Sequence, residues 1–280
     1  MLKRMILLLA LLALALPSLA FAQELPTVTF PEPTGPWAVG RTVLHLVDET
    51  RLDTYTSDPN DHRELMVYVW YPADPALDAP AATWLGPEMS PVVAEMFGIP
   101  SVFLDVVKVH ALDNVPVADS ASSYPVLLMS HGGDSSHPLL YTAFAEELAS
   151  HGYMVLGIAH THNVWVTVFP DGRVVPMHEE GTALYSSVPA DAPAFDQFQG
   201  IWDHCHSLLS LMADDAVFVI DQLESVNASH PLLAGRLDLT HIGMFGHSFG
   251  GATSVEVLTR DSRVLAAADL DGEGVGEGIP

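Results

Sequence analysis

Cysteine and basic residues are both scarce in this chain. Cys205 is the only cysteine among 280 residues. That excludes an intramolecular disulfide, so packing must supply the stability even in an oxidising compartment. Lys3 and Lys108 are the only lysines, and 10 Lys and Arg face 35 Asp and Glu, for a formal net charge of −25. A surface of that sign repels nucleic acid and anionic membrane, so neither is expected as a partner. Two origins fit the charge: adaptation to high salt, or the solubility of an exported enzyme, which is preferred. No internal repeat is evident, and no histidine follows His247.

The amino terminus reads as an export signal. Lys3 and Arg4 precede an apolar stretch from Met5 to Leu16, and Ala20-Phe21-Ala22 offers a small-x-small cleavage site. The apolar stretch breaks at Pro17-Ser18 and falls short of the ~20 residues that span a bilayer. Residues 1–22 are therefore expected to be a signal peptide and the mature protein to be secreted or periplasmic. Residues 23–40, rich in proline, read as an extended arm, and residues 41–280 as one α/β domain large enough for a substantial core.

Within that domain, Arg41–Val47 and Glu64–Tyr71 are β-branched and aromatic, which predicts two strands joined by a polar loop and paired antiparallel, the second ending at Pro72. Ala73–Tyr124 reads as short helices over the sheet or as plain surface connection. Pro125–Ser130 is a wholly apolar strand, followed by a turn at His131-Gly132-Gly133-Asp134 and a helix over Pro138–Ser150, with Leu140, Phe144 and Leu148 as its core positions and Gly152 to end it. Tyr153–Ala159 is the next strand, completing a βαβ unit and implying parallel pairing. Asp171-Gly172 between two β-rich stretches suggests a hairpin, and Pro176–Gln199 a long excursion at the rim. Leu208, Leu211, Met212, Ala216, Val219, Ile220 and Leu223 recur at helical spacing, giving a helix from about Trp202 to Val226.

The most informative stretch is Ile242–Phe245, an apolar strand running into Gly246-His247-Ser248-Phe249-Gly250 and a helix over Ala252–Leu258. This G-x-S-x-G pattern between strand and helix is a nucleophile elbow, the mark of α/β-hydrolases. The serine sits on a strained turn, and its neighbours two residues away must lack a Cβ so that the chain can fold back. A serine hydroxyl needs a base, a residue to orient that base, and donors for the oxyanion. One donor is the backbone N–H of Phe249. The other comes from the turn after the earlier strand, with Gly133 the choice, while the His131 side chain braces that turn. For the acid, Asp271 ends the strand Val264–Leu270. Asp269 competes with it, because strand alternation sends both to one face. The base is missing: these hydrolases carry it after the acid, and His247, next to the serine, should point away. The chain is accordingly expected to be truncated at its carboxyl end. It would then be nearly inert as given, since losing the base costs on the order of 10⁶ in kcat in subtilisin, and poorly soluble through an exposed sheet edge.

Ser130-His131-Gly132-Gly133, Leu148-Ala149-Ser150-His151-Gly152-Tyr153, Gly246–Thr253 and Leu270-Asp271 together resemble the plasma-type platelet-activating factor acetylhydrolase family, as does Val69-Trp70-Tyr71-Pro72 for an early strand. The resemblance covers about residues 37–272. It implies an α/β-hydrolase fold with a mostly parallel central sheet, antiparallel N-terminal strands and the last strands missing. It also implies cleavage of short or oxidised sn-2 acyl esters of phospholipids, without calcium or any cofactor. The roles it implies are Ser248 nucleophile, Asp271 triad acid in preference to Asp269, and Gly133 and Phe249 oxyanion donors. The implied partner is a small-molecule or lipid ester, with transient contact with a lipid surface. Two features depart from the family: the catalytic histidine has no counterpart, and glycine stands at 133 in place of a bulkier residue, which leaves specificity open to a general carboxylesterase or polyester-active hydrolase. A degenerate fold acting as a binding protein is the third reading. His160-Thr161-His162 and His204-Cys205-His206 have metal-ligand residue types but no second cluster at zinc spacing, so no metal is expected. The sequon Asn227-Ala228-Ser229 is taken to be without consequence.

Overall fold

The computed structural model describes residues 27–77, 79–133, 136–178 and 194–272, with backbone alone over 194–204. The stretch read as an export signal, Asp134, most of the excursion after Pro176 and the tail from residue 273 lie outside the described residues. In chain order the strands are β1 (Val28–Thr29), β2 (Ala38–Leu52), β3 (His62–Ala73), β4 (Ala81–Thr83), β5 (Val107–Asp113), β6 (Tyr124–Ser130), β7 (Met154–Ala159), β8 (Val166–Val168), β9 (Val174–Pro176), β10 (Leu237–His247) and β11 (Val264–Leu270). The helices are α1 (Met89–Phe97), α2 (Val102–Asp105), α3 (Thr142–Ser150), α4 (Ala194–Ser229) and α5 (Phe249–Arg260), with a 3₁₀ turn at Pro138–Tyr141.

The main sheet has the order β1-β5-β2-β3-β7-β6-β10-β11, with β4 added to β5. β6, β7, β10 and β11 are mutually parallel, whereas β3 is antiparallel to both β2 and β7. Parallel strands covered on both faces need apolar side chains at every position; all six residues of β7 are buried. In β3 the two-residue period divides the core. Leu65, Val67 and Val69 face the α4 side, where Ala213, Ala216, Val219 and Leu223 of that helix meet them. Met66, Tyr68 and Trp70 face the other side, against Ala145 and Ala149 of α3 and Met89 and Val93 of α1.

Several expectations are corrected. β2 and β3 are longer than the strands read from sequence, and β3 runs through Pro72 to Ala73. Residues expected in the arm supply β1, parallel to β5, and the start of β2. The stretch Ser101–Val109 is half helix and half strand, because Val107–Asp113 adds β5 to the sheet. The helix after β6 presents a different face: Leu140 and Phe144 are 42% and 57% exposed, while Leu139, Ala145 and Ala149 are buried. Its first turn is 3₁₀, with three residues per turn, which rotates the buried stripe away from the register that an uninterrupted α-helix would give. Small residues then let α3 lie close to the sheet, where the Glu146 carboxylate accepts the N–H groups of His110 and Ala111.

This topology brings the C-terminal ends of four parallel strands to one edge. The register pairs Gly246 with both Ser130 and Asp269, and Ser130 with Ile158. β11 closes that side of the sheet; among the described residues nothing pairs with its outer edge, and Leu265 is 61% exposed. Such an edge is a template for self-pairing. The chain as given is expected to self-associate with rising concentration in size-exclusion chromatography with light scattering. Leu265→Lys, which costs no core packing, should shift it toward monomer; a monomer at every concentration would contradict this.

Candidate active site

β10 delivers Ser248 at the strand-to-helix junction with φ 52 and ψ −122, a conformation non-glycine residues adopt at a cost of about 1–3 kcal/mol. What holds it there is close packing on both sides. A methyl group on Gly246 would overlap the backbone of Gly250, and one on Gly250 would overlap the carbonyls of Ser130 and His131. The Ser248 N–H donates to Leu270 O at 2.9 Å, and its carbonyl accepts from Gly251 N–H at 2.8 Å. The residue is partly exposed, and its hydroxyl has no hydrogen-bond partner among the described residues. His247 turns aside, its Nδ1 3.0 Å from the Tyr141 hydroxyl. That hydroxyl also accepts the Gly132 N–H at 3.2 Å, tying the elbow to the turn after β6.

That turn lies directly against the start of α5: a Cβ on Gly133 would stand 3.5 Å from the Cβ of Phe249. Neither the Gly133 nor the Phe249 N–H has an acceptor among the described residues. The Gly133 turn is thus brought against Phe249, the residue after the serine, whose own N–H stands at a helix N-terminus, where partial positive charge favours an anion. The two acids are both exposed but differ in backbone conformation and contacts. Asp269 is on β11, and its carboxylate fills the space over Gly251 and Gly272, where a Cβ on either would overlap it. Asp271 lies past the strand with φ 59 and is exposed. The left-handed turn ends the alternation that was expected to place both on one face.

A hydrogen-bonded serine–histidine–aspartate chain does exist, but on another serine. The Ser130 hydroxyl lies 3.0 Å from His160 Nε2, and His160 Nδ1 lies 3.0 Å from Asp215 Oδ2. All three are fully buried, which bars them from substrate. Asp215 also receives Arg63 through two bonds, Nε to Oδ1 at 3.1 Å and Nη2 to Oδ2 at 2.7 Å, and Arg51 Nη2 at 3.0 Å. Burial works against the Asp215 carboxylate, yet the Arg63 charge and the bonds from His160 and Arg63 outweigh it and hold the carboxyl far below its ordinary value. For His160, burial wins over the aspartate and lowers its pKa, so the ring is neutral near pH 7. Its Nδ1–H therefore donates to Asp215, and its Nε2 accepts from Ser130. The sequence carries a signal for this cluster: Asp215 stands inside the apolar stripe of α4, between Met212 and Val219, where a carboxylate requires a buried cation.

His160 is thereby committed, and His162 lies 3.3 Å from Asp53. Among the described residues no group of three or more His, Cys, Asp or Glu is arranged to hold a metal ion, and no helix is long and apolar enough to cross a membrane. A cavity of about 420 Å³ lies between β2, β3 and the β8–β9 hairpin, lined by Arg41, Tyr68, Glu88, Asp113 and Phe169 among others, with no part of the Ser248 turn in its walls.

The family described as platelet-activating factor acetylhydrolase, isoform II, matches residues 22–272. A probable 1-alkyl-2-acetylglycerophosphocholine esterase of Arthroderma benhamiae is 26% identical over 95% of this chain and 64% of its own length. The platelet-activating factor acetylhydrolase of Cavia porcellus is 27% identical over 90% of this chain and 58% of its own. The chain thus spans about six-tenths of the length of these relatives. Among solved structures, a ferulic acid esterase from Streptomyces cinnamoneus superposes with a TM-score of 0.69 at 30% identity, covering 90% of this chain and 64% of that one.

The buried ion cluster has a pH signature. Asp215 has a depressed pKa in the folded state, so its contribution is complete above the unfolded value of about 3.9 and is lost as pH falls below it. Asp215→Asn leaves Arg63 buried without its main counter-ion and should cost about 3–5 kcal/mol in urea unfolding at pH 7. The difference from wild type should narrow only below about pH 4. A loss under ~1 kcal/mol, or one unchanged from pH 7 to 3, would contradict the assignment.

Proposed function

The chain belongs to the platelet-activating factor acetylhydrolase, isoform II, family, and from that premise we propose that it is an exported serine hydrolase cleaving short or oxidised sn-2 acyl esters of phospholipids. The observation that carries this is Ser248 at φ 52 on its strand-to-helix turn, with the Gly133 turn packed against Phe249, the residue that follows it. Ser248 Oγ attacks the ester carbonyl carbon and loses its proton to a general base. The resulting oxyanion accepts both N–H groups. As the tetrahedral species collapses, the ester C–O bond breaks, the leaving alcohol takes the proton, and the acyl group stays on Ser248 until water removes it by the same steps. Asp271 orients the base. Among the described residues no histidine is hydrogen-bonded to the Ser248 hydroxyl, the His247 ring being turned to Tyr141. Export is supported by the signal pattern of residues 1–22.

Contact with lipid is supported by an apolar surface on α1 and α2. Phe97, Val102 and Phe103 are each about half exposed, and the Phe97 ring meets Trp165 edge-on at 6.2 Å. Trp165 in turn stacks on His137, close after the Gly133 turn. Given the net charge of −25, zwitterionic lipid is the fitting surface.

A second reading is favoured by the ferulic acid esterase, at 30% identity: a carboxylesterase of broader or aromatic acyl preference. On the full-length protein, kcat/KM for 1-alkyl-2-acetylglycerophosphocholine should exceed that for methyl ferulate and for long-chain p-nitrophenyl esters, and Ser248→Ala should lose about 10⁶ in kcat. Preference for the ferulate would establish the second reading. No hydrolysis and no labelling of Ser248 by a fluorophosphonate would leave a binding protein.

A further inference from the structure

An oxyanion donor is only as well placed as its peptide plane, and Gly132-Gly133 is the least restrained dipeptide a turn can have. The structure supplies the restraint from beneath. The fully buried His131 ring has Nδ1 2.7 Å from the Gly132 carbonyl oxygen. Its Nε2 lies 3.4 Å from the backbone N–H of His160, a group that can only donate. Nε2 must therefore be bare and Nδ1 must carry the proton, so His131 donates to the Gly132 carbonyl. The described chain contains no cis peptide, and in a trans peptide the N–H points opposite to the preceding carbonyl. A Gly132 oxygen drawn inward to His131 therefore turns the Gly133 N–H outward.

The His160 backbone that reads His131 is fixed in its turn. Its ring is bonded at both nitrogens, to Ser130 and Asp215, and Asp215 is clamped by Arg63 and Arg51. From the other side the Tyr141 hydroxyl holds the Gly132 N–H. We propose that His131, braced by His160 and Asp215, is a positioning residue that fixes the tautomer-dependent bond to Gly132 and so aims the Gly133 N–H at the oxyanion. This rests on the assignment of Ser248 and Gly133 above. Burial, foremost, and the neighbouring His160 ring keep His131 well below its ordinary pKa, so the neutral form that this bond needs is the one present at neutral pH.

The test uses the full-length protein and three substitutions. An asparagine places an amide N–H near the position of Nδ1, whereas glutamine places it near Nε2 and alanine removes it. His131→Ala and His131→Gln should lose about 10²-fold in kcat per fluorophosphonate-titrated site, the effect typical of one oxyanion donor, with KM changed less than about twofold. Affinity for a trifluoromethyl ketone, which forms a tetrahedral adduct on the serine, should fall by the same factor. His131→Asn should recover about tenfold or more of the lost kcat. Asparagine no better than glutamine, or variants that lose only thermal stability while kcat per site holds, would overturn the proposal alone. An active Ser248→Ala would overturn the underlying functional reading as well. Should the variants fail to fold, ¹⁵N-histidine NMR of the wild type decides: a neutral, Nδ1-protonated His131 at pH 7 supports the proposal, and an Nε2-protonated or cationic ring overturns it.

Discussion

Two strand ends packed so tightly that neither Gly246 nor Gly250 can carry a Cβ are the constraint on which the rest of this molecule turns. The Ser130 carbonyl from β6 occupies the space beside both glycines, so the chain leaving β10 has to pass through Ser248 with positive φ before it can start α5. Strain of this kind persists only where surrounding structure over-determines it. Here the surroundings are the parallel registers of β6, β10 and β11 and the bond from Ser248 N–H to Leu270 O. The same packing that exposes the hydroxyl puts the Gly133 turn against Phe249. The Ser248 turn and the placing of the Gly133 turn are consequences of one joint.

Beneath that joint lies a polar layer inside an otherwise apolar core. Arg63 from β3, His160 from the end of β7 and Asp215 from α4 meet where no water reaches them. Ion pairs of this kind rarely add net stability over well-packed apolar side chains. Their use here is geometric. They fix the ends of β3 and β7 relative to α4, next to His131 and Ser130 before the Gly133 turn. With so few basic residues in the chain, the placing of Arg63 and Arg51 on one buried aspartate is a specific commitment of scarce charge.

The legible parts of the sequence are those where one physical demand acts alone. Met154–Ala159 must be apolar throughout because both faces of a parallel strand are covered, and the G-x-S-x-G spacing follows from steric exclusion. The α/β-hydrolase architecture and the elbow could therefore be read directly, as could β11 to the residue. Where two demands compete, local pattern does not decide the structure. The helix after β6 begins with a 3₁₀ turn that local periodicity does not announce, and its buried face is made of alanine and Glu146 instead of Leu140 and Phe144. β5 was hidden because Val107–Asp113 follows a short helix in a Pro-rich region and pairs with distant partners. Asp215 was overlooked because its partner Arg63 is 152 residues away, and Asp269 and Asp271 could not be separated until the left-handed turn at Asp271 was seen.

The central claim is that the Ser248 turn and the Gly133 turn form one oxyanion site. A crystal structure of the protein after reaction with a phosphonate tests it most directly. The account predicts a covalent bond at Ser248 Oγ, with one phosphonyl oxygen about 2.7–3.1 Å from both the Gly133 and Phe249 nitrogens. An adduct whose oxygen points to solvent or to other donors, or modification of a different residue, would contradict it.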